Sequence, residues 1–283
     1  MLRIAIQAKG RLSEQSLALL SEAGIDVDDS KRKFLSRSSS FPAEILFLRD
    51  DDIPQAVSMG VADIGIVGYN EVLERGGEID VVDRLGFGGC RISLALPKTV
   101  DYPGLSWFEG KRIATSYPNI LGRFLAEKGI HAQIMTISGS VEIAPAVGMG
   151  DAIFDIVSSG GTLVSNGLVE VERVVASEAV VVAGRALSEE KRRILQQILS
   201  RFNAVKDSRD KKYLLMNIPA DALDEAIRIV PAMRSPTVLP LAQSGWYSLH
   251  SVVDASLLWE KIEQLKSIGA EGILVLSVEK MIL

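Results

Sequence analysis

Residues 151 to 163 read Asp-Ala-Ile-Phe-Asp-Ile-Val-Ser-Ser-Gly-Gly-Thr-Leu, and this run gathers the groups best suited to chemistry. An apolar strand carries two acids, Asp151 and Asp155. Past Val157 it breaks into Ser158, Ser159, Gly160, Gly161 and Thr162 before helix-compatible residues resume. Small residues let backbone N–H groups turn toward an anion and approach it closely, and the hydroxyls add donors. A carboxylate just upstream suits the vicinal hydroxyls of a ribose, which are donors seeking an acceptor. A sugar acid beside a phosphate loop is the combination that a phosphoribosyl diphosphate site needs. The plain alternative is a buried strand followed by a Gly-rich turn.

Other charged residues stand at positions where a ligand could reach them. Lys9-Gly10-Arg11 follows the first strand, where open α/β sheets bind ligands; the alternative is a solvated basic loop. Arg49 precedes Asp50-Asp51-Asp52 and could neutralise a phosphate or simply pair with those acids. Three adjacent acids opening a helix also suit its dipole. Tyr117 and Glu142 are further candidates, readable equally as a core-edge tyrosine and a first-turn acid. His131 and His250 are the only histidines and Cys90 the only cysteine. That inventory excludes an internal disulfide, argues against zinc and leaves oxygen ligands for a hard metal ion. A net charge of −5 argues against general nucleic-acid binding.

The elements that would position these residues follow from periodicity and punctuation. Leu2–Gln7 alternates as a strand, and Ser13 is expected to cap a helix running to Gly24. Residues 45–49 form the next strand, Pro54 sits early in a helix, and 62–67 form another apolar strand. This alternation predicts a largely parallel sheet covered on both faces. Met59–Gly68 and Met149–Val157 echo one another as helix end, Gly, acid-bearing strand and small-residue loop. Two similar lobes facing one cleft would explain the echo, as would chance. Strands at 91–96, 111–115 and 132–137 and a helix from Pro118 build the second lobe, with Ser140 a plausible N-cap for the helix holding Glu142. Residues 171–183 are strand-like, and 188–203 form an amphipathic helix. From Lys212 the order becomes β-α-β-β-α-β, a ferredoxin-like module, with Leu257, Leu258, Ile262, Leu265 and Ile268 expected on the core face of its last helix. No apolar run reaches the ~18 residues a membrane span needs, and the immediate start of a strand leaves no room for a signal peptide, so a cytoplasmic protein is expected.

Taken in order, several segments are similar to the long-form ATP phosphoribosyltransferases, the first enzymes of histidine biosynthesis. They are Lys9–Ser13, Arg49–Pro54, Phe87–Arg91, Lys111–Pro118, Gly139–Glu142, Asp151–Leu163, Ser235–Thr237 and Ile273–Leu276. The resemblance implies an α/β fold: a two-lobed catalytic core like type II periplasmic binding proteins, plus a C-terminal ferredoxin-like (ACT-like) regulatory domain. Expected boundaries are 1–90 with 175–187 for lobe I, 91–174 for lobe II, 188–211 for a connecting helix and 212–283 for the regulatory domain. It also implies transfer of phosphoribosyl from phosphoribosyl diphosphate to adenine N1 of ATP with Mg²⁺, feedback inhibition by histidine, dimers and hexamers of one chain, and no separate regulatory subunit.

Carried over by position, Val157 to Thr162 would hold the 5′-phosphate, and Asp155, with Asp151, the ribose hydroxyls. Ser159 stands where many relatives have Thr, and the hydroxyl is kept. Lys9, Gly10, Arg11, Arg49, Tyr117 and Glu142 would face ATP or the diphosphate; the metal ligands stay unassigned. Asn217, Met233, Ser235 and Thr237 would line the histidine pocket, Asn217 departing from an Asp found in some relatives. Adenine N1 is neutral and carries no proton to remove, which fits in-line displacement without a general base. Two rival readings stand beside this one. A two-lobed sensor would bind a nucleotide without turnover, and a nucleobase-salvage phosphoribosyltransferase would leave the first lobe and last module unexplained.

Overall fold

A computed structural model describes residues 1–27, 34–230 and 235–283 of the chain. Two compact units emerge, Met1–Gln197 and Ile198–Leu283.

The first unit opens with β1 (Leu2–Gln7), α1 (Arg11–Glu22), β2 (Leu35–Arg37), β3 (Ala43–Leu48), α2 (Ile53–Ser58), β4 (Ile64–Gly68), α3 (Tyr69–Arg75) and β5 (Ile79–Arg84). The chain then passes into a second sheet with β6 (Cys90–Pro97), β7 (Arg112–Thr115), α4 (Pro118–Lys128), β8 (Gln133–Thr136), β9 (Ala152–Val157), α5 (Gly161–Ser165) and β10 (Leu168–Ser177). It returns to the first sheet as β11 (Ala179–Gly184), and α6 (Glu189–Ser208) leads out. Among the described residues the strand orders are β2-β3-β1-β4-β11-β5 and β10-β6-β9-β7-β8. Reading the second in reverse, β8-β7-β9-β6-β10 repeats β3-β1-β4-β11-β5. Each lobe has a parallel triplet, β3-β1-β4 or β8-β7-β9, extended by an antiparallel strand that arrives from the other lobe. The chain therefore crosses between lobes twice, and β4 and β9, the two strands of the sequence echo, hold equivalent places. The expected largely parallel sheet holds only for the triplets, since the returning strands are antiparallel. The return falls at Glu178, after the 174/175 junction expected from sequence, because an unbroken Val-rich run hides where one sheet ends and the next begins.

Local chemistry explains several departures. Gly10 (φ +97°), not Ser13, occupies the N-cap of α1, and Ser13 lies buried inside the first turn. Ser140 has φ +51°, so it is not the extended residue an N-cap requires, and Glu142 sits in a single 3-10 turn, Val141–Ile143. β2 was too short and too polar to read as a strand. The lobe II core packs Ile92, Leu94, Phe108, Ile113, Leu121 and Phe154 between α4 and its sheet.

The second unit holds β12 (Lys211–Pro219), α7 (Leu223–Ile229), β13 (Thr237–Pro240), β14 (Trp246–Asp254), α8 (Leu258–Ser267) and β15 (Glu271–Ser277). Its antiparallel order β13-β14-β12-β15 is the expected ferredoxin-like arrangement. Leu214, Met216 and Ile218 alternate toward the two helices, where Leu258 and Leu265 of α8 complete the core. Leu257 departs from the expected stripe: it precedes α8 and is exposed. No helix among the described residues is long and apolar enough to cross a membrane.

Candidate active site

β9 runs between β6 and β7 and delivers the Ser-Ser-Gly-Gly-Thr loop at its C-terminal end. Val157 is buried and anchors the strand end, whereas Ser158, Ser159, Gly161 and Thr162 are exposed. Gly160 adopts φ +83°, a left-handed conformation that side chains disfavour by about 1–2 kcal/mol. The loop's own bonding is thin. Gly161 N–H reaches Ser159 Oγ at 3.4 Å, and the N–H groups of Ser159 and Gly160 make no hydrogen bond among the described residues. Donors left this way at the end of a central strand can receive an anion.

Asp155 lies in β9 opposite Ser93 of β6. Burial, opposed by the Ile156 N–H and reinforced by the charge of Glu142, pushes its carboxyl up to about 6. The charge of Glu142 is thus felt at Asp155, without a hydrogen bond between them. Asp151 goes elsewhere. β9 has six residues, at ~3.3 Å each, so roughly 20 Å of strand separates Asp151 from the loop. Its carboxylate takes the Arg112 guanidinium at 2.9 Å and the Arg112 N–H at 2.9 Å, which holds it below the usual range. It ties β7 to the start of β9, at the end of the strand away from the loop. The sequence reading grouped it with Asp155 because both are acids of one strand; the strand's length separates them.

Between the lobes lies a cavity of about 440 Å³ bounded by Arg49, Glu71, Arg75, Tyr117, Asn119 and Gly139, among others. A chain of polar contacts runs along its wall. Arg49 makes a two-pronged pair with Asp51 at 3.1 Å, and Arg75 lies 3.5 Å from both Asp51 and Glu71. Asn70 Nδ2 donates to Glu71 at 2.9 Å and to the Tyr117 hydroxyl at 3.3 Å. Arg49 therefore borders the cavity while already paired with one acid of its run. Tyr117 belongs to the lobe II core with only its hydroxyl in the polar chain, and burial with the charge of Glu71 holds that phenol far above its ordinary range. Asp50 is mostly buried with Oδ1 lacking a partner; burial and the charges of Glu71 and Asp51 push it up to about 7. Lys9 and Arg11 are exposed at the end of β1 with no ion pair among the described residues.

Sequence reasoning missed Asn70, Glu71 and Glu74. Glu74 is buried and accepts the Asn119 and Ile120 N–H groups, each at 2.9 Å, so an acid of lobe I caps the first turn of α4 in lobe II. A signal for this group existed. Tyr69-Asn70-Glu71 follows β4 as Ser158–Thr162 follows β9, and polar residues at that junction of an apolar strand called for an explanation.

In the second unit Asn217 sits on β12 and Thr237 on β13, with β14 between them. Two strand spacings and a register offset place them roughly 12 Å apart. Between them His250 is held by Tyr213 Oη at 2.8 Å and Ser248 Oγ at 3.0 Å. Ser235 is exposed, and Met233 lies outside the described residues. Asn217 and Thr237 share the sheet face opposite the helices without adjoining one another.

Comparison with known proteins agrees with this architecture. The family model "ATP phosphoribosyltransferase" matches residues 49–204, and "HisG, C-terminal domain" matches 208–280. The ATP phosphoribosyltransferase of Phocaeicola vulgatus is 61% identical over 283 residues, covering 100% of both chains, and that of Bacteroides thetaiotaomicron is 58% identical over 282 residues with the same coverage. A solved structure, the ATP phosphoribosyl transferase (HisG:HisZ) complex from Thermotoga maritima, is 31% identical with a TM-score of 0.63; the match covers 71% of this chain and 96% of that one. The chain belongs to the ATP phosphoribosyltransferase family, whose reaction, phosphoribosyl transfer to ATP, is the first step of histidine biosynthesis.

Proposed function

We propose that the loop from Val157 to Thr162 receives the 5′-phosphate of phosphoribosyl diphosphate and that Asp155 accepts hydrogen bonds from its ribose hydroxyls. The observation that carries this reading is the pairing of unbonded loop N–H groups with a half-buried carboxylate on the strand that leads into them. Hydrogen bonds to a charged group contribute roughly 1.5–3 kcal/mol each, so several donors suffice to anchor the sugar. The cavity bordered by Arg49 and Tyr117 has a volume within the ~300–1,000 Å³ usual for ligand sites, and we assign ATP to it, with Lys9, Gly10 and Arg11 toward its phosphates or the diphosphate. Tyr117 and Glu142 are placed with ATP in the same reading.

Enzymes of this family use a divalent metal. Asp50, with its orphaned buried oxygen, and Glu71 are hard oxygen donors of the kind such an ion takes. No three acids converge into a cage among the described residues. We therefore infer Mg²⁺ held chiefly by substrate phosphates, with these carboxylates as its protein partners. When bound, such an ion would supply charge neutralisation to the departing diphosphate. The chain's own part is to hold the sugar by its phosphate and hydroxyls so that adenine N1 meets C1′ in line, without a general base.

The second unit supports a histidine-sensing reading in which Asn217, Ser235 and Thr237 contribute. Its presence also supports a chain that needs no separate regulatory subunit: the Thermotoga relative, solved as a complex with HisZ, matches only 71% of this chain. We further propose a cytoplasmic homo-oligomer, dimer and hexamer. The test incubates the protein with ATP, phosphoribosyl diphosphate and Mg²⁺, with pyrophosphatase present, and follows phosphoribosyl-ATP. Product with inverted C1′ is expected, whereas retention or a trapped ribosyl-enzyme adduct rules out direct displacement. Titration calorimetry with histidine is expected to show binding; silence up to ~millimolar levels removes the sensing role.

A further inference from the structure

The substrate loop rests on a charged clamp that neither substrate need touch. Arg91, at the start of β6, sends two guanidinium N–H groups to the Glu170 carboxylate of β10 and a third, Nη1, to the Ser158 carbonyl at 2.9 Å. Glu170 is itself fixed on two more sides, by Ser93 Oγ at 2.8 Å and Arg173 Nε at 3.2 Å. The register explains how these groups meet. Arg91 pairs with Val157 of β9 and Ala176 of β10, while Ser93 pairs with Asp155 and Arg173, so all of them project from one sheet face. Irregularities in β10 on either side of Glu172 re-aim that strand locally.

We propose that Arg91, braced by Glu170, is a positioning residue that sets the direction of the Ser159 N–H and so determines affinity for phosphoribosyl diphosphate. The reason is peptide geometry. The Ser158 carbonyl and the Ser159 N–H belong to one planar trans unit and point in opposite directions. Pinning the oxygen on Arg91 aims the N–H away from that guanidinium. Gly160 permits the turn that follows but does not by itself select the orientation of the preceding peptide plane. A guanidinium can hold a carboxylate with one edge and a carbonyl with a remaining N–H; an ammonium cannot span both in fixed geometry.

The inference rests on the reading of the loop as a phosphate site, and the experiment separates the two. Steady-state kinetics of the full-length chain are measured for Arg91→Lys, Glu170→Gln and Thr162→Val, alongside thermal unfolding. Arg91→Lys is expected to raise KM for phosphoribosyl diphosphate about tenfold, the loss of one aimed charge-assisted bond, with KM for ATP unmoved. Glu170→Gln is expected to give a smaller rise of the same pattern, because the Arg91–Ser158 bond survives on a weaker brace. If Thr162→Val raises that KM while both clamp variants leave it unmoved, the clamp is overturned and the loop reading stands. If Thr162→Val itself leaves it unmoved, the loop reading falls. Equal rises in both KM values with a lowered Tm make Arg91 a scaffold residue only, and overturn the proposal. Should Arg91→Lys not fold, the Glu170→Gln split between the two KM values decides alone.

Discussion

β4 and β9 occupy equivalent positions in the two sheets, yet their C-terminal ends have opposite fates. At the end of β4 the first two N–H groups are engaged. Tyr69 N–H meets the Glu178 carbonyl at 2.9 Å, Asn70 N–H meets Ser177 Oγ at 2.9 Å, and Asn70 Oδ1 accepts the Ser177 hydroxyl at 2.9 Å. These bonds bind lobe I to the strand returning from lobe II. At the end of β9 the corresponding donors stay unbonded, on a loop whose other residues are mostly exposed. One topology thus yields a sealed joint in one lobe and, in the other, an open strand end of the kind proposed to take the anion, and the difference lies in a few residues after each strand. A strand end becomes a binding site when the protein withholds its own acceptors from it.

The sharpest way to break this contrast is to remove the open end. Asp155→Ala with Thr162→Val deletes two charge-assisted contacts, each about 1.5–3 kcal/mol, so kcat/KM for phosphoribosyl diphosphate is expected to fall by ~10²–10⁴ while thermal unfolding changes little. Full turnover by the double variant would remove the site from the loop.

A pair of glycine substitutions tests the same contrast more gently. A Cβ on Gly68 would stand 2.4 Å from Asn70 Oδ1, an atom held in place by Ser177. Gly68→Ala is therefore expected to cost about 1–3 kcal/mol of stability with KM for phosphoribosyl diphosphate conserved in the folded fraction. Gly160→Ala meets only strain at φ +83°, about 1–2 kcal/mol, and is expected to act mainly on that KM. Denaturant titration beside kinetics separates them, and the reverse assignment would end the contrast.

Acid–base behaviour offers a third test. Asp50 is raised from 3.8 to about 7, so the folded chain keeps a proton that the unfolded chain has released. Stability contributed by that proton is present below 3.8 and is lost as pH rises to about 7. Asp50→Asn is expected to flatten this decline, measured by denaturant midpoints across that interval; parallel profiles would contradict the burial argument. Asp155, raised to about 6, must ionise to serve as a full acceptor, so kcat/KM for phosphoribosyl diphosphate is expected to decline as pH falls through about 6. The smallest effect is expected from Asp151→Asn, which loosens the Arg112 tie and leaves both KM values unchanged.

How much of this was legible beforehand depended on whether the signal was local. The loop after Val157 could be read because small residues, hydroxyls and an acid are contiguous, and their chemistry does not depend on distant neighbours. The chain order of elements in the second unit followed from local periodicity, since alternation marks strands and a 3.6-residue stripe marks helices. The tie of Asp151 to Arg112 was not legible, because adjacency in sequence says nothing about which residue of a neighbouring strand an acid will meet. Asn70 and Glu74 were missed for a related reason: their partners, Ser177 and the first turn of α4, lie 107 and 45 residues away. Ser13 failed as a cap because Gly10 had already ended the extended segment.

The amino-acid sequence by itself determined the alternating α/β pattern, the β-α-β-β-α-β module and, through its ordered motifs, the family, since each rests on periodicity or on contiguous chemistry. Only the tertiary structure decided which acids stand beside the loop after Val157, which close the joint between lobes, and that Arg91 holds the Ser158 carbonyl. Those outcomes depend on strand register and lobe crossing, where residues far apart in the chain become neighbours through the packing of whole sheets.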